Sequence, residues 1–570
     1  MKNTILLFLL PLFLVVNFLF QLFSPKPLVG NEPAMTLCSS PVNLAITTDA
    51  NGKFVGVLPG WGNYEYKIST EKDSAQYYFN QGINMYYSYH MKEALASFKE
   101  ASRFDPGSAM TYWGQALAMG PYYNAAHSYK MPVEIHAVLQ SMNNNAGSAK
   151  PEEKSLISVM NNRYSKDDSD SQRKSLNLAY AAGMRELTLE YPDNQDLKTL
   201  YVDAVMVIHA WDFWNSDGTP KAWTEELIQL CEGVLKKNSD HPAALHYHIH
   251  LTEASRHPEV ALPNADKLKN LFPGVAHMVH MSSHEYERNG LFEKGVMVND
   301  LADQNLLQYD SLAKNLNLVK HSPHYFAVQT YCALSGGMYE TGMRDALRCR
   351  NSVSPTPENT YDQYLYMLPS LTLVRLGKWE EILKDSLTLE KKWTYASLLN
   401  DFARGMANVQ TGKITQARSH YFQLLQKTGD PLLTKRRIPF NSPVEIARIA
   451  GNILIGAIEF AEKNYDKSIA SFNKAIQMED ALIYTEPNDW PIPARQFLGA
   501  YYLKMGKPAL AEKVYKDDLI WNPGNGWSYI GLSQTAKAQR KTKNLSVYNS
   551  KIKQAFSKAE KIPSGSVYLN

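Results

Sequence analysis

Residues 78–106 read YFNQGINMYYSYHMKEALASFKEASRFDP, and the spacing within them decides the fold. Gly82, Ala94, Phe98 and Ala101 fall where two antiparallel helices would pack closely. Small residues permit the close crossing, and the aromatic ring fills the wedge beside them. Asp105-Pro106 ends the second helix, since proline has no N–H with which to continue it. The pattern returns near the C-terminus, where Gly499, Tyr502, Gly506, Ala511, Tyr515 and Pro523 hold the corresponding places. Weaker copies lie between: Gly405, Gly412, Ala417 and Tyr421 in one, Gly456, Ser468, Phe472 and Ala475 in another. Gly290-Leu291-Phe292, Gly337-Met338-Tyr339 and Gly377-Lys378-Trp379 each read as the tight turn between paired helices. The glycine there accepts a left-handed conformation, and the aromatic two residues on covers the end of the hairpin.

This spacing resembles the tetratricopeptide repeat, a helix–turn–helix of about 34 residues. The resemblance implies an all-α, right-handed superhelical solenoid over residues 74–560, each hairpin burying its apolar faces on its neighbours. Residues 24–73, with NGKFVGVLPGWGNYEYKI at their centre, have little helical period and read as an extended lead-in. Residues 561–570 read as a tail. Four stretches, AMTYWGQALAMGPYYN, HPAALHYHIHLTEASRHPEVALPNADKL, PGVAHMVHMSSHEY and WPIPARQFLGAYYLKMGKPALAEKVYKDDLIWNPGNGW, are together similar to a group of exported bacterial tetratricopeptide-repeat proteins without an assigned activity. That likeness implies fold and export and brings no reaction with it.

The chain has 570 residues, 44% hydrophobic and 11% aromatic, which marks a folded protein. Its formal net charge is +3 with both signs well mixed, which excludes a nucleic-acid footprint. The one dense basic run, Lys435-Arg436-Arg437, reads as a solvated loop. Lys2 precedes an uncharged, apolar-dominated run from Ile5 to Phe23, long enough either for a secretory signal or for a membrane anchor. Pro11 and Asn17 within the run favour the signal. Under both readings Cys38 to Asn570 faces an extracytoplasmic compartment, periplasmic or outside the cell, with residues 5–23 as a candidate membrane tether. Four cysteines are too few for a disulfide scaffold. Cys332 and Cys349 fall on the two helices of one hairpin, so a single bridge stays open beside the alternative of buried thiols.

Seven of the fifteen histidines stand between His246 and Tyr286. With Gly290 and Phe292 as a turn, the preceding helix begins near Ala276 and carries His277, His280 and His284 on one face. The same register places His246 and His324 at equivalent positions on the neighbouring first helices. His250 lies one turn from His246, while His248 points elsewhere. In tetratricopeptide solenoids these places line the concave groove, so the resemblance implies that the imidazoles face an open channel. The histidine-rich centre spans residues 241–326.

Neutral imidazole is the commonest protein metal ligand, and zinc, copper and iron all accept imidazole-rich sites. His246, His250, His277, His280, His284 and His324 are therefore the candidate metal ligands, with grouping open: one helix alone, or His280 and His284 with His246 or His250. Glu253 and Glu285 are candidate ligands or acid–base groups. Arg495, Glu486 and Trp490 are a weaker ligand-binding set; against it stands simple packing of Trp490 and an Arg495–Glu486 ion pair. His209 and Asp212, in IHAWDFW, read as aromatic packing between hairpins, and His90, His127, His136 and His420 as packing histidines. The chain carries no phosphate-binding glycine loop or other nucleotide-cofactor motif, no nucleophile elbow and no HExxH. The leading expectation is an exported repeat protein that binds a transition metal in its groove and takes a peptide or small ligand there. The alternatives are a metal-dependent enzyme on the same scaffold and a metal-free interaction scaffold.

Overall fold

The computed structural model describes residues 46–436, 441–541 and 543–569. The apolar run at 5–23, Cys38 and Arg437 lie outside the described residues. Among those described, no helix is long and apolar enough to cross a membrane, and the only β-type pairing is an isolated bridge between Trp214 and Pro220.

Helical hairpins follow one another along the chain. Asp73–Tyr87 packs on Met91–Phe104, Ala276–Arg288 on Phe292–Leu312, and Pro323–Ser335 on Tyr339–Asn351. Toward the C-terminus, Thr394–Gln410 packs on Ile414–Lys427, Pro443–Ala461 on Tyr465–Asp480, and Ala494–Lys504 on Pro508–Trp521. One backbone device closes these hairpins. Leu291 N–H donates to the Tyr286 carbonyl at 2.8 Å, Met338 to Ala333 at 2.9 Å and Lys507 to Tyr502 at 2.9 Å. Each bond needs a left-handed residue just before it, supplied by Gly290 (φ 70°), Gly337 (φ 68°) and Gly506 (φ 68°). In the first hairpin the same bond, His90 N–H to Met85 O at 2.9 Å, forms with a tyrosine in the left-handed position: Tyr89, φ 56°.

The glycines inside helices serve a different purpose. The Phe98 ring is clasped between Gly82 of its own hairpin and Gly114 of the next; a Cβ at either would lie 2.7 or 2.4 Å from the ring. Tyr515 is held identically between Gly499 and Gly531, at 2.4 and 2.2 Å. These aromatic rings lock successive hairpins together, and only hydrogen at the facing Cα leaves room for them. The described residues thus form an all-α solenoid of tetratricopeptide-like hairpins.

The solenoid does not keep an open concave face. At the N-terminal side, the extended segment 46–72 buries Val55, Leu58, Trp61 and Tyr66 and reaches distant helices. Gly60 O accepts from Gly274 N (3.1 Å), Pro59 O from the Tyr309 hydroxyl (2.9 Å), and the Phe54 carbonyl from Asn315 Nδ2 (2.9 Å). The C-terminal hairpins return over the central ones. Gly524 touches the Asn289–Gly290 turn so closely that a Cβ on Gly290 would meet Gly524 O at 2.1 Å. The Glu560 carboxylate caps the free N–H groups of Tyr339 (2.7 Å) and Glu340 (3.0 Å). The tail is bound too: Ser566 is buried between the Tyr515 hydroxyl and the Gln496 carbonyl. The expectation of imidazoles facing an open channel is therefore corrected: the groove is roofed, and its lining becomes interior.

The bridge left open between Cys332 and Cys349 does not form. Both are free and buried, as is Cys231, and Cys349 Sγ instead donates to the Pro323 carbonyl at 3.6 Å. None of the three should react with an aromatic disulfide reagent in the native protein, and all three should react in denaturant; fast native labelling would contradict the packing. Gly114→Ala should cost about 1–3 kcal/mol by overpacking against Phe98, despite alanine's better helix propensity. Gly147→Ala, where an added Cβ meets nothing within 4 Å, should stay within about 0.5 kcal/mol. Urea denaturation of the two variants checks the pair.

Candidate metal centre

Three neighbouring first helices supply the histidines. Pro242–Thr252 starts with its ideal residue for an N-terminal first turn, Pro242, behind His241, whose Nδ1 accepts from Ala244 N at 3.4 Å. His246 and His250 follow one turn apart. Ala276–Arg288 contributes His277, His280 and His284, and Pro323–Ser335 contributes His324. All six are buried.

They separate into two triads. Ligand nitrogens of His246, His250 and His277 lie within 4.8 Å of one another, as do those of His280, His284 and His324. His246 Nε2 is 3.1 Å from His277 Nε2, and His280 Nε2 is 3.0 Å from His324 Nε2. The His277 and His280 rings, 6.0 Å apart, join one triad to the other. The structure therefore groups His280 and His284 with His324, not with His246 or His250. His324 meets His280 rather than His277, because the stagger between successive helices brings it beside the second turn of its neighbour.

Fixed oxygens set the tautomers. His246 Nδ1–H donates to the Tyr87 carbonyl at 2.7 Å, which leaves Nε2 as a bare lone pair in the neutral ring. His280 Nδ1 is 2.6 Å from Asn299 Oδ1, and Asn299 is oriented by its own Nδ2 bond to the Gly295 carbonyl at 2.8 Å. His280 Nε2 is bare for the same reason. Burial then keeps the rings neutral. It pushes His280 down to about 3 and His250 down to about 4, and it holds His246, His277, His284 and His324 well below the ordinary imidazole range, neighbouring imidazoles adding to the effect in all but His250. Neutral rings with one nitrogen anchored and the other turned to a shared point are what a divalent transition ion requires. The donor set fits such an ion.

Two carboxylates stand beside the triads. Glu253, just past the end of the first helix, accepts from His250 Nδ1 at 3.0 Å, and its other oxygen is 4.0 Å from His284 Nδ1. Glu486 arrives from a remote loop and lies 3.3 Å from His284 Nε2. Ligand atoms of His250, Glu253 and Glu486 also fall within 4.8 Å of one another. Burial pushes the Glu253 carboxyl up to about 8, so without a cation nearby this corner holds a proton. Tyr89 presses its ring on the first triad, with centroids 4.6 Å from His246 and 5.6 Å from His277.

The remaining candidates take other places. Glu285 follows His284 by one residue and so points about a quarter-turn away; it is buried, with Asn289 Nδ2 3.4 Å from its carboxylate, and belongs to neither triad. Arg495 pairs with Asp480 through two bonds of 2.6 Å, not with Glu486, which leaves Glu486 to the histidines. Trp490 is buried edge-on against Phe402. His209 stacks on Trp223 at 3.5 Å and His248 turns to Asn264, 3.1 Å away. His90 pairs with Glu93 at 2.8 Å, and its Nε2 accepts from the His277 N–H at 3.4 Å, steadying the helix start beneath the first triad. Sequence reasoning missed Asn299, the Tyr87 carbonyl and Tyr89's contact with the histidines. Only Tyr89 leaves a trace, as a bulky aromatic where most other hairpins place glycine.

A cavity of about 660 Å³ reaches the centre from one side. His250, Glu253 and Glu486 form its inner end, and Trp211, Trp214 and Trp521 its walls. No other histidine of the two triads borders it.

No protein-family model matches the chain, and no curated protein matches it significantly. Among solved structures it is similar to a human IFIT1 dimer with m7Gppp-AAAA, at 10% identity and a TM-score of 0.33, over 80% of this chain and 90% of that one. It is also similar to yeast Tom70, at 12% identity and a TM-score of 0.33, over 85% and 93%. Likenesses this remote add nothing to the repeat assignment, which rests on the hairpins themselves. What fold and site define together is a tetratricopeptide-like solenoid closed around a buried polyhistidine centre.

Arg288 holds the two halves of that closure. Its Nε donates to Glu253 O (3.0 Å), one terminal nitrogen to Ser255 O (3.1 Å) and the other to Trp521 O (3.2 Å). Arg288→Met should therefore destabilise the metal-free protein by about 1.5–3 kcal/mol in chemical denaturation; a change under about 0.5 kcal/mol would match an ordinary surface site instead.

Proposed function

We propose that this chain is a metalloprotein that binds two transition-metal ions, one in each triad. The carrying observation is the pair of anchored rings: His246 and His280 each have Nδ1 held by an oxygen and a bare Nε2 about 3 Å from a second imidazole nitrogen. In the metal-free protein the second ring donates a hydrogen bond across that gap; a cation between them takes both lone pairs. Zinc, copper and iron(II) suit the donors. The roofed groove favours a small ligand over an extended peptide as the further partner. With residues 5–23 as signal or anchor, the centre would work in an extracytoplasmic compartment.

The cavity favours a second reading, a metal-dependent enzyme. A bound ion would polarise a substrate oxygen or activate water. The chain's own part is then to exclude bulk water, to aim His250 by its bond to Glu253, and to hold or release a proton on Glu253.

Elemental analysis of the full chain, made without an affinity histidine tag, tests the proposal. Two equivalents are expected after incubation with zinc, copper or iron(II), one equivalent when His280, His284 and His324 are all changed to alanine, and none when all six histidines are. Asn299→Ala, which frees the His280 ring, should lower the affinity for one ion by about 10–100-fold and leave the other unchanged. A folded wild-type protein that takes up no metal would sink both readings.

A further inference from the structure

We infer that the two ions differ in access: an exogenous ligand meets only the ion of His246, His250 and His277, through the His250–Glu253–Glu486 corner, and that ligand is a flat-ringed molecule carrying an acidic hydroxyl. This rests on the metal reading above and goes beyond it.

The access argument is geometric. His250 alone of the six histidines lines the cavity. His277 is covered by Tyr89, and its backbone N–H is taken by His90. His280 lies under Tyr325, the rings stacked at 4.1 Å, and edge-on to His284 and His324 at 4.7 and 4.8 Å. The second triad is screened from the chamber by the Tyr325 ring and by the two carboxylates themselves, Glu486 standing 3.3 Å from His284 Nε2 and Glu253 4.0 Å from its Nδ1, while His250 of the first lines the chamber directly.

The chamber's chemistry selects the ligand. Its volume suits a molecule of ordinary drug size. Its walls include Trp211, itself stacked on Tyr123 at 4.3 Å, and Trp214, with Trp521 lying under Arg256. Flat rings stack on such side chains. Two of its cations are paired with carboxylates, Arg495 with Asp480 and Lys221 with Asp212 at 3.1 Å, while Arg288 meets three carbonyls and Arg256 the Ser216 carbonyl and the Trp521 ring. Arg256 and Arg288, for which no ion pair is found among the described residues, place positive charge at the cavity and favour a ligand whose hydroxyl ionises. At the inner end, two carboxylates flank His250, so a ligand hydroxyl arriving there finds an acceptor for its proton beside the ion.

The experiment uses the full chain loaded with copper(II), with 4-nitrocatechol as the probe. A saturable shift of the probe's visible band is expected. Removal of metal by a chelator should be biphasic, with rates at least about tenfold apart, and saturating probe should alter only the fast phase. Ala254 is half-buried in the cavity lining; Ala254→Trp should fill the chamber, weaken the probe at least about tenfold and slow the fast phase, with two ions still bound. If that variant does not fold, Trp211→Ala should weaken the probe about fivefold or more by removing a stacking face. Single-phase metal release, or probe affinity unchanged in these variants, would overturn the inference while the metal reading stands. Two ions without any probe shift would do the same, and an absence of metal would overturn both.

Discussion

Six imidazoles packed together away from water set the terms for the rest of this structure. Each ring brings two nitrogens that must find partners, and protonated rings so close together would repel. Burial settles the charge by keeping the rings neutral, and the anchors on Tyr87 and Asn299 settle the tautomers. The roof over the groove then follows from what must be kept dry. Gly524 lies on the Gly290 turn, Arg288 ties the central helices to Trp521, and the Glu486 loop fills the space over His284. A solenoid whose concave face carried ordinary polar residues would have no reason to spend its last hairpins in this way.

Much of this was legible from residue spacing because tetratricopeptide-like hairpins are local objects. The glycine inside a first helix and the aromatic ring packed on it lie within one repeat of each other, so Gly82 with Phe98 and Gly499 with Tyr515 announce the crossing. The helix faces follow from the turns, which is why residue spacing alone aligns His246, His277, His280, His284 and His324. What remained hidden depends on contacts between distant segments. Nothing local to Glu486 marks it as a neighbour of His284, and nothing local to Asn299 marks it as the anchor of His280. The division into two triads is hidden as well, since it depends on the stagger between helices, a matter of a few ångströms. The expected open channel failed for the same reason: closure is made by segments far from the histidines in the chain.

Tyr89 joins the two levels. In the other hairpins the left-handed turn position belongs mostly to glycine, and a bulky aromatic there pays in backbone strain. Such strain persists only where the surroundings hold the residue in place. Here the ring lies against His246, His250 and His277, with Tyr122, Tyr123 and Tyr247 packed behind it. A glycine would relax the turn and leave the first triad without its cover. The first hairpin therefore does more than begin the solenoid: its Tyr87 carbonyl orients His246, its Tyr89 ring covers the triad, and His90 steadies the helix that bears His277. A hairpin remote in sequence from the histidine helices thereby becomes a wall of their site. The first triad is therefore completed by the docking of the N-terminal repeat on the central ones.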